Sequence, residues 1–258
     1  MKVVLFCGGL GTRLRAQSEV IPKPLINIGH RPIMWHLMRY YAHYGHKDFI
    51  LCLGYRGDMI KEYFLNYNEC ISNDFTLRNG GRDIDLFNSD IQDWNITLVD
   101  TGLNSNLGER LLHVKEHLQG EEMFLANYTD GLSDLPLPQY IEDFKESGAT
   151  ASIISVKPPQ SFHAVKSDKK GFVTGFELIS ESSVWINAGY MIMKQAVFDN
   201  IGPGEDLNNE PFHRLLAERK LLSYKYRGFW KPMDTYKDKK EFDGMSDANN
   251  RPWQVWDN

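Results

Sequence analysis

A short apolar run, Val3-Val4-Leu5-Phe6, leads straight into Cys7-Gly8-Gly9-Leu10-Gly11-Thr12-Arg13-Leu14. No other feature of this chain limits its fold as strongly. Four consecutive apolar residues before a glycine cluster mark a strand buried on both faces of a parallel sheet. Glycines let the backbone approach a ligand closely, so that successive N–H groups can converge on phosphate oxygens. Arg13 and, ten residues on, Lys23 in Pro22-Lys23-Pro24 bring the positive charge that a polyphosphate needs. The spacing matches neither common glycine-rich fingerprint. G-x-G-x-x-G fails because Leu14 fills the last glycine's slot, and a P-loop would need a lysine directly after the glycines. A plain strand-to-helix turn would need one glycine and would have no use for the arginine and lysine.

The rest of the chain continues in β-loop-α-β-α order. After Leu25–Ile28, a short strand or turn, Pro32 opens a helix through Tyr41 that ends at Gly45. Phe49–Leu53 is the next buried strand, and a helix runs from Asp58 to about Tyr67. Residues 68–93 are polar around the turn Asn79-Gly80-Gly81-Arg82-Asp83 and read as an inserted loop or hairpin. Strands are expected at Ile96–Val99, Met123–Ala126, Ala151–Val156, within Val173–Ile192 and at Leu221–Tyr226. Helices are expected at Leu111–His117, Leu137–Ser147 and Glu210–Arg219. This order predicts an α/β fold: a Rossmann-like, doubly wound, mostly parallel mixed sheet with helices on both faces. No linker or repeat interrupts it, so 1–258 reads as a single domain, with 236–258 a C-terminal helix and aromatic tail packed back on the body.

Composition removes several function classes. The net charge of −5 gives no general attraction to nucleic acid or to an acidic membrane, so any bound anion must be held by local cations. The three cysteines, Cys7, Cys52 and Cys70, are scattered without metal-ligand spacing, which suits the reducing cytoplasm. The N-terminal apolar run is too short for a signal peptide, and no stretch approaches the roughly 20 apolar residues of a membrane span.

Two aspartates complete the chemical picture. Asp130 follows a strand in Asn127-Tyr128-Thr129-Asp130-Gly131, and Asp234 lies in Trp230-Lys231-Pro232-Met233-Asp234-Thr235. Each alone could be a helix cap or a solvated turn. Beside a phosphate-binding loop, the pair suits a magnesium ion, which takes one or two carboxylates and leaves other positions to substrate phosphates. With Gly8–Leu14, Pro22-Lys23-Pro24, Thr97-Leu98-Val99-Asp100-Thr101-Gly102, Asn187-Ala188-Gly189 and Gly228-Phe229-Trp230-Lys231-Pro232-Met233-Asp234-Thr235, the chain resembles the sugar-phosphate nucleotidyltransferases. The Thr97–Gly102 and Gly228–Thr235 runs resemble the glucose-1-phosphate cytidylyltransferase branch.

That resemblance implies the nucleotide-diphospho-sugar transferase type of fold and a magnesium-dependent transfer of a cytidylyl group from CTP to a phosphorylated acceptor, releasing pyrophosphate. It implies that Gly8, Gly9, Leu10, Gly11, Thr12, Arg13, Lys23, Ser105, Arg110 and Thr129 contact the nucleotide. Arg13, Lys23 and Asp130 would be catalytic, Asp130 and Asp234 would bind Mg2+, and His163, Glu177, Asn187 and Gly189 would face the acceptor. The work would serve nucleotide-sugar and polysaccharide biosynthesis in the cytoplasm, with no nucleic acid or membrane partner. The aromatic tail leaves a homo-oligomer open.

The chain departs from the family in three places. Leu178 stands where the family's E-K-P stretch has its phosphate-binding lysine, His163 stands for a glycine, and Thr129 replaces the first glycine of G-D-G. The nucleotide half is thus intact and the acceptor half altered. Glucose 1-phosphate is the default acceptor. The alternatives are another sugar, polyol or small-molecule phosphate, or a nucleotide-binding relative without catalysis.

Overall fold

The computed structural model describes residues 1–9 and 21–256. In chain order its strands are β1 (Val3–Phe6), β2 (Asn27–Ile28), β3 (Arg31–Pro32), β4 (Asp48–Leu53), β5 (Phe75–Arg78), β6 (Asp83–Leu86), β7 (Asn95–Asp100) and β8 (Met123–Asn127). There follow β9 (Gly131–Ser133), β10 (Ala151–Val156), β11 (His163–Ser167), β12 (Val173–Leu178), β13 (Ile186–Lys194), β14 (Leu221–Lys225) and β15 (Trp230–Pro232). Seven of them form the central sheet in the order β14-β10-β13-β8-β1-β4-β7. Every neighbouring pair is parallel except the two made by β13, which runs antiparallel to β8 and β10.

Alternation along β1 splits the core between the two faces. Val3 and Leu5 point into one cluster with the helices Ile33–His43 and Leu137–Ser147. Val4 and Phe6 point into the other with the helices Leu107–Val114 and Glu210–Ala217. A central strand with helices on both sides has no polar face, which is why β1 is buried at every position. The helix Tyr236–Asp247 lies on the first face through Phe242, with Trp253 and Trp256 of the tail beside it.

From β1 the chain first builds outward through β4 to β7 and then returns to place β8 on the other side of β1. The sheet's direction of growth therefore reverses between β1 and β8. In open α/β sheets such a reversal leaves a crevice at the carboxyl ends of the two strands, because their following loops diverge.

The expected helices and sheet strands are present, with ends shifted by a few residues. The helix expected from Asp58 to about Tyr67 spans Gly57–Leu65, and that expected at Leu111–His117 starts at Leu107. The insertion at 68–93 contains the hairpin β5–β6. Strands β3, β9, β11 and β15 are additions. β9 and β15 have three residues each, too few to show an alternating pattern.

Candidate active site

The two aspartates are 104 residues apart in sequence and meet because β9 and β15 pair antiparallel, with Gly131 opposite Pro232. The pairing extends one step further: Met233 donates its amide to the carbonyl of Asp130 at 2.7 Å. Lys23 approaches from a short 3-10 turn, Lys23–Leu25, flanked by Pro22 and containing Pro24, whose rings fix φ and limit the turn's freedom. Its Nζ donates to Asp130 Oδ2 at 2.9 Å and to Asp234 Oδ1 at 2.7 Å. Burial opposes the ammonium here, but the two carboxylates more than offset it, so Lys23 titrates above the ordinary lysine value.

These groups line a cleft of about 580 Å³ at the carboxyl ends of β1 and β8, walled among the described residues also by Gly8, Gly9, Ser105, Arg110, Tyr128 and Thr129. Cys7 lies in it as well, but burial pushes its thiol far up, so it offers no thiolate near neutral pH. Ser105 donates its hydroxyl to the carbonyl of Thr101. Asn106 caps the helix Leu107–Val114 reciprocally with Glu109, which fixes this wall of the cleft.

Arg110 is buried, and its guanidinium ties three strand ends together. Nη1 donates to Leu53 O at 3.0 Å and Thr101 Oγ1 at 2.6 Å, while Nη2 reaches Gly8 O at 3.3 Å. A β-carbon on residue 8 would stand 2.1 Å from Nη1, so only glycine fits beneath this guanidinium. Arg110 therefore lines the cleft with three of its five N–H donors held by protein oxygens.

On the opposite wall, Tyr128 OH donates to Asn208 Oδ1 at 2.9 Å and accepts from Asn187 Nδ2 at 3.1 Å. Asn187 is held in turn by the amide of Gly189 at 2.9 Å. Gly189 has φ +82°, and a β-carbon there would meet the Tyr128 ring at 2.6 Å. Asn187 and Gly189 thus reach the cleft through Tyr128. His163 and Glu177 do not line it; they belong to the ribbon β11–β12. The His163 ring stacks on Phe176 with centroids 4.6 Å apart, and Glu177 pairs with Lys166 at 2.7 Å. In that ribbon His163 sits directly opposite Leu178. Leu10, Gly11, Thr12 and Arg13 lie outside the described residues.

Tyr128, Asp206 and Asn208 are cleft residues that the sequence reading did not single out. For Tyr128 a signal existed in its place before Thr129-Asp130. The stretch around Asp206 and Asn208 reads only as a turn.

Among the described residues no group of three or more His, Cys, Asp or Glu could hold a metal by itself. The donor set nevertheless fits a magnesium ion bound jointly with substrate. Two carboxylates converge on one cationic atom, the Lys23 Nζ, and such an ion commonly takes one or two carboxylates plus phosphate oxygens and water. No helix among the described residues is long and apolar enough to cross a membrane.

Comparison with known proteins agrees with this geometry. The nucleotidyl transferase family model matches residues 2–234. The chain is 38% identical to the glucose-1-phosphate cytidylyltransferases of Salmonella typhimurium and Salmonella typhi, over 100% of this chain and 100% of each relative. Among solved structures, a UDP-glucose pyrophosphorylase complexed with UDP-glucose superposes with a TM-score of 0.69 at 14% identity, covering 96% of this chain and 98% of that one. At that identity the likeness speaks for the fold alone.

Proposed function

The chain belongs to the nucleotidyl transferase family, and from that premise we propose that it is a magnesium-dependent cytidylyltransferase joining CTP to a phosphorylated acceptor, by default glucose 1-phosphate. The observation that carries the proposal is the convergence of Lys23, Asp130 and Asp234 at the seam between β1 and β8. The full-length likeness to the Salmonella cytidylyltransferases supports CTP as the donor.

In the proposed reaction an oxygen of the acceptor phosphate attacks the α-phosphorus of CTP. The bond from that phosphorus to the β-phosphate oxygen breaks, and pyrophosphate leaves with the electron pair. No protein nucleophile is needed. The chain's task is to hold two polyanions together and to offset the charge that gathers between them. Lys23 is kept protonated by its neighbours and stabilises that charge, with Arg13 of the glycine loop as its proposed companion. Asp130 and Asp234 are the residues that would hold Mg2+, which when bound supplies further charge neutralisation to the phosphates. Gly8 and Gly9 leave the backbone open to the nucleotide, with Leu10, Gly11 and Thr12 completing the loop. Ser105, Arg110 and Thr129 form the nucleotide side, and Asn187 with Gly189 the acceptor side. His163 and Glu177 would reach an acceptor only at the ribbon's base.

We read 1–258 as one domain working in the cytoplasm, where the thiols of Cys7, Cys52 and Cys70 stay free. The test is pyrophosphate release with CTP, UTP, GTP and dTTP against a panel of sugar, polyol and small-molecule phosphates. CTP with glucose 1-phosphate is expected to turn over. A purine nucleotide clearly favoured over CTP would sink the reading.

A further inference from the structure

Three cations gather on one tryptophan at the edge of the sheet nearest Asn187. Lys157 Nζ lies 4.7 Å from the centre of the Trp185 ring, Arg227 Cζ 5.1 Å and Lys225 Nζ 5.2 Å. The sheet register produces this cluster. Ser155 of β10 stands opposite Asn187 of β13 on one side and opposite Lys225 of β14 on the other. Lys157, Trp185 and Arg227 lie just beyond the ends of these strands, where the chain brings all three cations to the one ring. Within the strands, Ser155, Asn187 and Lys225 stand in one row and so share a face.

Lys157 is half-buried and donates to the carbonyls of Ser182 and Val184, so it holds the segment that carries Trp185. Lys225 and Arg227 are exposed, yet both lie over the ring. Among the described residues none of the three forms a salt bridge. Like charges brought together on one ring repel, and in a chain of net charge −5 the cluster stands out as a local positive field.

Its position indicates which anion such a field suits. Asn187 shares its register row with Lys225, separated by one strand, and strands are about 4.8 Å apart. Asn187 bonds Tyr128, which lines the cleft. The cleft itself presents Asp130, Asp206 and Asp234, with two donors of Lys23 and three of Arg110 engaged by protein groups. The cluster thus stands on the Asn187 side of the cleft.

We propose that Lys157, Lys225 and Arg227, assembled on Trp185, form a docking site for the phosphate monoester of the incoming acceptor. The site rests on the cytidylyltransferase reading, and its ligand class is a dianionic phosphate ester. It raises the capture of acceptor from solution and leaves the chemical step to Lys23 and the aspartates.

The test uses the full chain and the double variant Lys225→Gln/Arg227→Gln, whose two side chains are exposed. With glucose 1-phosphate as probe and saturating CTP, the variant's KM for the probe is expected to rise about tenfold. Its kcat and its KM for CTP are expected to hold, and the salt dependence of kcat/KM for the probe to flatten. Calorimetric binding of glucose 1-phosphate without CTP should weaken by a similar factor, while glucose shows no difference between the two proteins. An unchanged KM and unchanged binding would overturn the site, as would an equal rise in KM for CTP. If the unaltered chain releases no pyrophosphate from CTP but still binds glucose 1-phosphate through Lys225 and Arg227, the site stands and the cytidylyltransferase reading falls.

Discussion

Thr129 brings its hydroxyl within 2.8 Å of the Phe6 carbonyl, across the seam where the β1–β8 ladder stops. The last paired residues are Leu5 and Asn127, and beyond them the chain turns at Thr129 with φ +65°. A β-branched residue is strained in that region, where glycine sits freely. Threonine offsets the strain through a hydroxyl whose one proton is shared between the carbonyls of Phe6 and Tyr128, at 2.8 and 2.6 Å. Thr129→Val keeps the shape and loses the donor, so it should destabilise the fold by about 1–3 kcal/mol. Thr129→Gly loses the same donor but relieves about 1–2 kcal/mol of backbone strain, and should be close to neutral. Urea unfolding of the two variants checks this; a valine variant as stable as the parent would contradict it.

Gly8→Ala should be far more damaging than an alanine on an open turn. The new methyl would stand 2.1 Å from the Arg110 Nη1 and push the guanidinium off Leu53 O and Thr101 Oγ1. Overpacking of this kind costs about 1–3 kcal/mol, and it disturbs the ends of three strands that floor the cleft. Among the described residues, Gly9→Ala meets no atom within 4 Å of its new β-carbon, and it serves as the control. Equal melting temperatures for the two variants would refute the assignment.

Lys23→Ala should lower turnover by roughly 10²–10³-fold, the scale of a lost electrostatic donor at a reacting centre. Asp130→Asn and Asp234→Asn should abolish activity or shift its magnesium dependence while the fold survives. The folded pKa of Lys23 lies above its unfolded value. Its ion pairs therefore contribute fully below the ordinary lysine pKa of about 10.4 and weaken only as the pH rises past it. Activity should consequently show no alkaline loss attributable to Lys23 below about pH 10. A lysine variant with the parent's rate at limiting magnesium would remove it from the mechanism.

Acid should loosen the C-terminal tail. His36 is buried, and its Nε2 lies 3.0 Å from the Ile28 carbonyl while Trp253 Nε1 donates to Nδ1 at 3.4 Å. Both contacts are met by the neutral ring, and burial pushes its pKa down to about 4. The unfolded chain binds this proton near pH 6.5, so stability is retained above that value and lost as the pH falls toward 4. The loss is on the order of 3 kcal/mol for this residue. His46, likewise pushed down to about 4, adds a smaller share because it is only half-buried. Denaturant melts from pH 7 to 4 should show the decline, and His36→Gln should flatten it. An unchanged slope in that variant would place the titrating group elsewhere.

Leu178→Lys should strengthen use of glucose 1-phosphate. A charge-assisted phosphate contact contributes about 1.5–3 kcal/mol, or roughly one to two orders of magnitude in affinity. The cross-strand position of His163 makes the variant informative, since both side chains rise from the same face of the ribbon. If His163→Ala alone raises KM for the acceptor and Leu178→Lys restores it, the histidine stands in for the family's lysine. If neither variant changes KM, the ribbon's base does not meet the acceptor phosphate.

The sequence by itself determined the architecture and the chemical cast. The buried runs Val3–Phe6, Phe49–Leu53 and Met123–Ala126 could only be interior strands of a helix-covered sheet, because nothing in them faces water. Lys23, Asp130 and Asp234 stood out from residue type and local motif as candidates for phosphate and metal chemistry, and the structure brings the three together. Tertiary structure decided what meets what. Asp234 reaches Asp130 only through the β9–β15 pairing, whose three-residue strands carry no periodic signal. Arg110, legible as a nucleotide contact, proves to hold Gly8, Leu53 and Thr101 together, because its partners are carbonyls and a hydroxyl brought near it by three different strands. The cluster on Trp185 arises in the same way: Lys157, Trp185, Lys225 and Arg227 sit at or just beyond the ends of three strands. Local sequence sets the conformation of each strand, but the register that aligns them is fixed by the buried faces of the whole sheet.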